Sequence, residues 1–255
     1  MTNSAHQDLI IDQFSRQAIP FAKIPGHHDS VQLLIEMVGA GPDDTVLDVA
    51  CGPGIVASEF ARRSKAVTGI DLTPAMIEQA KRHQQEQGLT NLAWELGDIG
   101  RLPFADDSFS IVVTRYSFHH LLHPAQALAE MIRVCRPGGR VLVADVALPP
   151  EKAAAYDRLE ILRDPSHTHA LTVPEFEALF AGSGLVDCRQ AAYGVELKLE
   201  ATLKASFPKE GDEEKVRELV SFDIGTDALG IAARREEGEV VYTVPIAVLA
   251  GDKAR

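Results

Sequence analysis

The spacing of hydrophobic residues changes period along this chain, and each change marks an element. Ile10, Phe14, Ala18 and Phe21 recur three and four residues apart, which predicts an amphipathic helix ending between Pro20 and Pro25-Gly26. A second helix is expected over residues 30–38. Residues 46–50 form a short apolar run suited to a buried parallel strand, and it stops at Cys51-Gly52-Pro53-Gly54, where only a tight turn fits. Ile55, Val56, Ser58, Phe60 and Ala61 supply the apolar and small positions of a helix, and residues 65–70 read as the next strand, ending in Asp71. The alternation then repeats. Thr73 as N-cap and Pro74 at the first turn begin a helix that Gly88 stops. Residues 93–96 and 110–115 are strands three and four, and residues 125–135 are a helix with Leu128, Met131, Ile132 and Cys135 facing inward. Pro137-Gly138-Gly139 is expected to turn the chain into strand five, residues 140–144, which Asp145 ends.

From Pro149 the pattern loosens. A helix over 152–162 leads into the polar loop Arg163-Asp164-Pro165-Ser166-His167-Thr168-His169, and Thr172-Val173-Pro174-Glu175 caps a further helix through Phe180. A strand lies within 186–199 and the last strand within 240–250. Between them, residues 201–238 are charged and helical in pattern, which predicts a small helical cap over a cleft, with a dimer surface or simple edge decoration as the alternative.

The strand, glycine turn, helix and strand of residues 46–71 make a βαβ unit with its glycines at the first turn. Glycine lets backbone approach a ligand without a Cβ in the way, and an acid at the tip of the second strand can accept both hydroxyl protons of a ribose. Gly52-Pro53-Gly54-Ile55-Val56-Ala57 also fits the dinucleotide fingerprint, so a nicotinamide-dependent oxidoreductase stands as a rival. A longer set of residues separates the two. Asp48-Val49-Ala50-Cys51-Gly52-Pro53-Gly54 resembles the D-x-G-x-G-x-G loop of class I S-adenosylmethionine-dependent methyltransferases, with Ala50 in place of the first glycine. Asp71-Leu72-Thr73-Pro74-Ala75-Met76 is similar to that family's ribose segment, Gly97-Asp98-Ile99 with Leu102-Pro103-Phe104 to its adenine loop, and residues 130–140 to its helix-to-strand crossing. The resemblance is strongest to the branch of ubiquinone and menaquinone biosynthesis C-methyltransferases.

The resemblance implies a Rossmann-like three-layer α/β sandwich, with a seven-stranded, mostly parallel sheet, an antiparallel last strand and helical cap insertions. It implies one domain over 1–255, divided into an N-terminal helical lid (1–40), a cofactor-binding core (41–148) and a substrate-side half (149–255). The cofactor it implies is S-adenosylmethionine, held by Asp48, Ala50, Gly52, Gly54, Asp71, Leu72, Met76, Asp98, Ile99 and Arg115. In relatives an N-terminal segment closes over the cofactor, and Gln17, Phe21 and Lys23 would be the residues able to touch it; packing of this helix on the sheet through Phe14 and Phe21 is the alternative. His27-His28 is read as a turn.

Acids at Asp48, Asp71 and Asp98 share one rim of an open α/β sheet, which suits a cationic sulfonium ligand. Arg115-Tyr116-Ser117-Phe118-His119-His120 leaves that rim beside the expected methyl. His119 or His120, with Tyr116, is the candidate for deprotonating and orienting an acceptor, and the two histidines are expected to point in different directions. Asp145 is expected to be satisfied by backbone, with reach to the substrate as the alternative, and Arg163, His167 and His169 place a candidate substrate lid in the polar loop. A metal held by Asp164, His167 and His169 is not favoured, because the spacing matches no standard zinc pattern. The reaction read from these features is methylation of a small molecule at carbon, oxygen or nitrogen, a quinone precursor or a secondary metabolite; a cofactor-binding protein of the same fold with another activity is the alternative.

Bulk properties narrow the partners. The 255 residues are 45% hydrophobic, enough for a full core, and 37 acidic against 25 basic residues give a net charge of −12, which disfavours nucleic acid. Three widely spaced cysteines without a C-x-x-C argue against a disulfide framework and fit a reducing cytoplasm. No apolar run approaches a membrane span, and the N-terminus lacks the pattern of a leader. A homodimer stays open.

Overall fold

The apolar runs of the first half build the sheet. The computed structural model describes residues 3–21 and 30–255, with the side chains of all of these but Pro20 and Phe21. Strands β1 (Thr45–Val49), β2 (Ala66–Asp71), β3 (Leu92–Leu96), β4 (Phe109–Arg115) and β5 (Cys135–Val146) run parallel in the order β3-β2-β1-β4-β5. Beyond β5 lies β8 (Glu239–Asp252), antiparallel both to β5 and to β6 (Val186–Lys198), the outermost strand. Among the described residues the sheet has eight strands where seven were expected. The addition is β7 (Arg234–Glu236), which pairs with the start of β8 across a tight turn at Glu237 (φ 49°) and Gly238 (φ 87°). Positive φ at both central residues is what a two-residue hairpin requires.

Helices cover both faces, so the central strands are apolar on both sides. Val46, Ile111, Val113, Leu142 and Ala144 pack with α2 (Val31–Val38) and α3 (Ile55–Ala61), whereas Leu47, Val49, Val112, Val141 and Val143 pack with α5 (Pro124–Val134) and α7 (Val173–Ala181). Consecutive residues divide between the faces because a strand repeats every two residues. Helix α4 (Pro74–Gln87) ends at Gly88 in the left-handed conformation, as its sequence predicts, but Thr73 makes no side-chain cap. Thr172 does cap α7, in a reciprocal capping box with Glu175.

Two boundaries differ from expectation. Pro137-Gly138-Gly139 is not a turn before β5 but part of that strand, because Cys135 already pairs with Phe109 and Gly138 and Gly139 exchange backbone hydrogen bonds with Lys253. Residues 201–238 are helical only as far as α9 (Asp212–Asp223), which with α6 (Pro150–Arg163) and α8 (Leu199–Ser206) packs over the β6 and β8 half of the sheet. The helix read at the N-terminus is α1 (Asn3–Phe21). No helix among the described residues is long and apolar enough to cross a membrane.

Candidate active site

Strand order reverses between β1 and β4, and the carboxyl ends of these strands are where an open α/β sheet leaves a crevice. The turn after β1 forms its floor. Ala50 (φ 53°), Gly52 (φ 52°) and Gly54 (φ 80°) all take left-handed backbone. The turn is held by the Gly52 amide donating to Asp71 Oδ2 at 2.8 Å and by the Ala57 amide donating to Asp48 Oδ2 at 2.9 Å. The two glycines serve different ends. A Cβ on Gly52 would meet nothing within 4 Å, so its missing side chain leaves room in the cleft. A Cβ on Gly54 would lie 2.6 Å from the Trp94 ring and 3.0 Å from Ala80 Cβ, so Gly54 permits packing of Trp94 and does not line the cleft as predicted. Ala50 pays the left-handed strain that glycine avoids. Ala50→Gly should therefore raise stability by about 0.5–1 kcal/mol, read as an upward shift of a few degrees in a thermal melt; a lower melting temperature would show that the alanine methyl packs usefully.

The cleft, with the solvent at its mouth, takes in about 1110 Å³ of space. Asp48, Ala50, Gly52, Asp71, Leu72, Met76, Asp98, Ile99 and Arg115, all predicted for this role, line it. Asp71 accepts from the Gly52 amide on one oxygen and the Thr73 amide, at 2.8 Å, on the other. Each oxygen keeps a further lone pair for a hydroxyl. Asp98 accepts from the Gly100 amide at 2.9 Å and from Gln7 Nε2 at 2.7 Å, so α1 reaches across to the third strand's tip. Arg115 is 8% exposed, and among the described residues its Nη1 has no hydrogen-bond partner. An orphaned guanidinium nitrogen is a ready partner for a carboxylate. Burial raises the Asp48 pKa to about 7 against the lowering effect of the Arg115 charge.

This donor set disfavours a dinucleotide. A pyrophosphate needs the amides at the start of α3, and the Asp48 carboxylate already takes one of them.

A second cavity, about 800 Å³ with the solvent at its mouth, lies under α6 and α8 and meets the first at Phe14, Tyr116 and His120. Its walls include Val146, Val195, Leu197, Val244 and Ile246 with Tyr156 and Tyr242, and its polar groups are His119, Asp145, Glu160, Arg163 and Asp164. His119 Nδ1 donates to Asp145 Oδ1 at 2.6 Å. Burial works against protonating His119, but the charge and hydrogen bond of Asp145, with the Glu160 charge, outweigh it and raise its pKa. Asp145 shifts down: burial opposes this, and the His119 charge and the Phe118 and Val146 amides overcome it. The carboxylate is thus bound to a histidine as well as to backbone.

His120 is different. Its Nδ1 pairs with Ser166 Oγ at 3.1 Å, and burial with the His119 charge pushes its pKa down to about 3. The two rings are 4.1 Å apart and line the same cavity, contrary to the expectation that they diverge, because residues 118–120 form a single 3-10 turn before α5 and Asp145 and Ser166 draw both inward. Tyr116 sits at the junction with φ 59° and its hydroxyl 2.9 Å from that of Tyr193. Burial pushes the Tyr116 pKa further up, which removes it as a base.

Arg163 is placed in the cavity as predicted, forked onto Glu160 and donating to Ser206 Oγ at 2.8 Å. His167 and His169 are not. Both turn away to Asp157, at 2.7 Å each, and line neither cavity. The Phe21 side chain, Lys23, His27 and His28 lie outside the described residues. Gln17 faces the second cavity, not the first, and donates to Asp164 at 3.0 Å. Glu160 and Tyr156 were missed by sequence reasoning although they carry a signal: positions 156, 160 and 163 share one face of α6. Asp164, read only as part of the polar loop and as a metal ligand, follows directly on that helix. No group of three or more His, Cys, Asp or Glu among the described residues is placed to hold a metal.

Residues 47–143 match a family described as a methyltransferase domain. This part of the chain is a class I S-adenosylmethionine-dependent methyltransferase domain. Over 165 residues the chain is 33% identical to an uncharacterized methyltransferase, YcgJ, of Bacillus subtilis, covering 64% of this chain and 65% of that one. The YcgJ crystal structure superposes on 90% of this chain and 100% of its own with a TM-score of 0.81 at 25% identity. The ubiquinone/menaquinone biosynthesis C-methyltransferase UbiE of Bdellovibrio bacteriovorus is 34% identical over 151 residues, or 56% of this chain and 64% of that one. The chain thus spans between about half and just under two thirds of the length of the curated relatives it matches.

Proposed function

We propose that this chain transfers the methyl group of S-adenosylmethionine to a small, uncharged, largely apolar acceptor at carbon, oxygen or nitrogen. The observation that carries the reading is the meeting of the two cavities at Phe14, Tyr116 and His120, one rimmed by three strand-tip acids and the other holding a paired His119 and Asp145. Asp71 would bind the ribose hydroxyls, Asp98 and Ile99 the adenine, and Arg115 Nη1 the amino-acid carboxylate. Bound there, S-adenosylmethionine supplies an electrophilic methyl on a positive sulfonium. What remains for the protein is to hold the acceptor in line, exclude water and take up a proton where the acceptor must lose one. Asp145 accepts from His119 Nδ1, which leaves the Nε2 lone pair to receive that proton. Tyr116 and His120 position the acceptor at the junction. Aliphatic and tyrosine walls suit an apolar body, and the buried acids of the cavity already have protein partners, which supports an uncharged acceptor. A quinone precursor fits this description, as does an aromatic secondary metabolite. Three free cysteines, two of them buried, are compatible with work in a reducing cytoplasm.

Calorimetry with S-adenosylmethionine, S-adenosylhomocysteine and NAD tests the cofactor. The first two should bind and NAD should not. With Asp48 half protonated near neutrality, entry of the sulfonium charge should release roughly half a proton at pH 7, and affinity should fall as pH drops below the Asp48 pKa of about 7. The neutral homocysteine analogue should release less. Methyl-labelled S-adenosylmethionine with a panel of phenols, quinols, enols and amines then identifies the acceptor; absence of binding at millimolar cofactor would end the proposal.

A further inference from the structure

The polar loop expected to contact substrate instead runs from the back of the acceptor cavity to the surface, and its hydrogen bonds form a line. His167 Nε2 pairs with Asp157 Oδ1 at 2.7 Å, Asp157 Oδ2 with His169 Nδ1 at 2.7 Å, and His169 Nε2 with Glu175 at 3.1 Å. Side-chain exposure rises along it, from 0% at His167 through 16% at Asp157 and 41% at His169 to 53% at Glu175. At its inner end the His167 ring lies 5.6 Å from that of His119. Because a carboxylate only accepts, neutral His167 carries its hydrogen on Nε2, and its Nδ1 is a bare acceptor. That Nδ1 is buried, and among the described residues it has no hydrogen-bond partner. Nothing in a purely structural role for the loop calls for this orphaned nitrogen beside the candidate base.

We propose that His167, Asp157 and His169 form a proton outlet that returns His119 to its neutral state, a role that rests on the methyl-transfer reading above. When an acceptor gives its proton to His119 Nε2, the imidazolium sits between Asp145 and His120 in the cavity that also holds Glu160 and Arg163, with its side chain only 13% exposed, and it must discharge before the next turnover. The proton moves to His167 Nδ1, while His167 releases its Nε2 proton to Asp157. Neutral His169 carries its hydrogen on Nε2 toward Glu175, so its bare Nδ1 takes the proton from Asp157, and His169 then loses one from Nε2 to solvent. One proton enters and one leaves, and no electrons move. His169 suits the outer place: partial burial disfavours its charge, but hydrogen bonds to Asp157 and Glu175 outweigh this and raise its pKa. The residues of the outlet are positioning residues, since none of them lines the cavity.

The test needs no acceptor. In full-length protein labelled with 15N-histidine, free and with S-adenosylhomocysteine, solvent exchange of the His119 and His167 ring N–H protons is measured by NMR. His169→Leu, at a half-exposed position, should leave the fold intact and slow exchange at both rings about tenfold, with added imidazole restoring it. Asp157→Asn should do the same if it folds. Exchange within twofold of wild type in His169→Leu would overturn the outlet. Failure of wild type to bind S-adenosylhomocysteine would overturn the cofactor reading instead, and the exchange rates of the free protein would still decide the outlet.

Discussion

Asp71→Asn should weaken S-adenosylhomocysteine binding by about 10- to 100-fold, the worth of one charge-assisted hydrogen bond to a ribose hydroxyl, about 1.5–3 kcal/mol. The acid does two jobs at once. Its oxygens accept from the Gly52 and Thr73 amides and so hold the glycine turn against the start of α4, and their remaining lone pairs face the cleft. Burial raises its pKa, and backbone hydrogen bonds from Thr73 and Gly52 work against that shift. An amide in its place must turn an NH2 toward one of two N–H donors, so the turn and the ribose contact weaken together. Calorimetry gives the affinity, and a thermal melt on the same protein separates local loss from unfolding. Wild-type affinity in Asp71→Asn would remove this acid from nucleoside binding.

Asp145→Asn should lower turnover about 10²- to 10³-fold on the acceptor that the labelled-methyl screen identifies, with cofactor affinity nearly unchanged. The carboxylate fixes the tautomer of His119 and favours its protonated form. Removing the charge takes away the largest influence that raises the His119 pKa, while burial continues to lower it. The sign follows. His119 must be neutral to accept a proton, so wild-type rate should rise with pH through the elevated His119 pKa, and in Asp145→Asn that limb should move to lower pH. His119→Gln should lose the limb. His120→Gln should retain it, because a group with a pKa of about 3 is neutral throughout this range. An unchanged pH profile in Asp145→Asn would show that the acceptor loses its proton elsewhere or needs no base.

The difference between the two histidines shows where reading the chain stops. Both stand after a strand on the same rim, and nothing local ranks them. The ranking comes from β5, which brings Asp145 to one ring, and from the loop after α6, which brings Ser166 to the other. His167 and His169 were read toward substrate on their loop position alone, and Asp157 on the preceding helix turned them outward. Likewise Gly54 belonged to the motif by spacing, but its close neighbour is Trp94 of another strand.

Residues near one another in sequence settled much of this protein unaided. The period of two in the strands, the glycine turn after β1 and an acid at each of three strand tips are local features, and topology alone then gathers those tips at one crevice. Which cavity a side chain enters, which nitrogen of a histidine is free and which charge faces which were decided only by the tertiary structure. Such preferences depend on burial and on partners far along the chain: His119 with Asp145, Gln7 with Asp98, Gln17 with Asp164. Burial and charge act through space, so no window of neighbouring residues contains them.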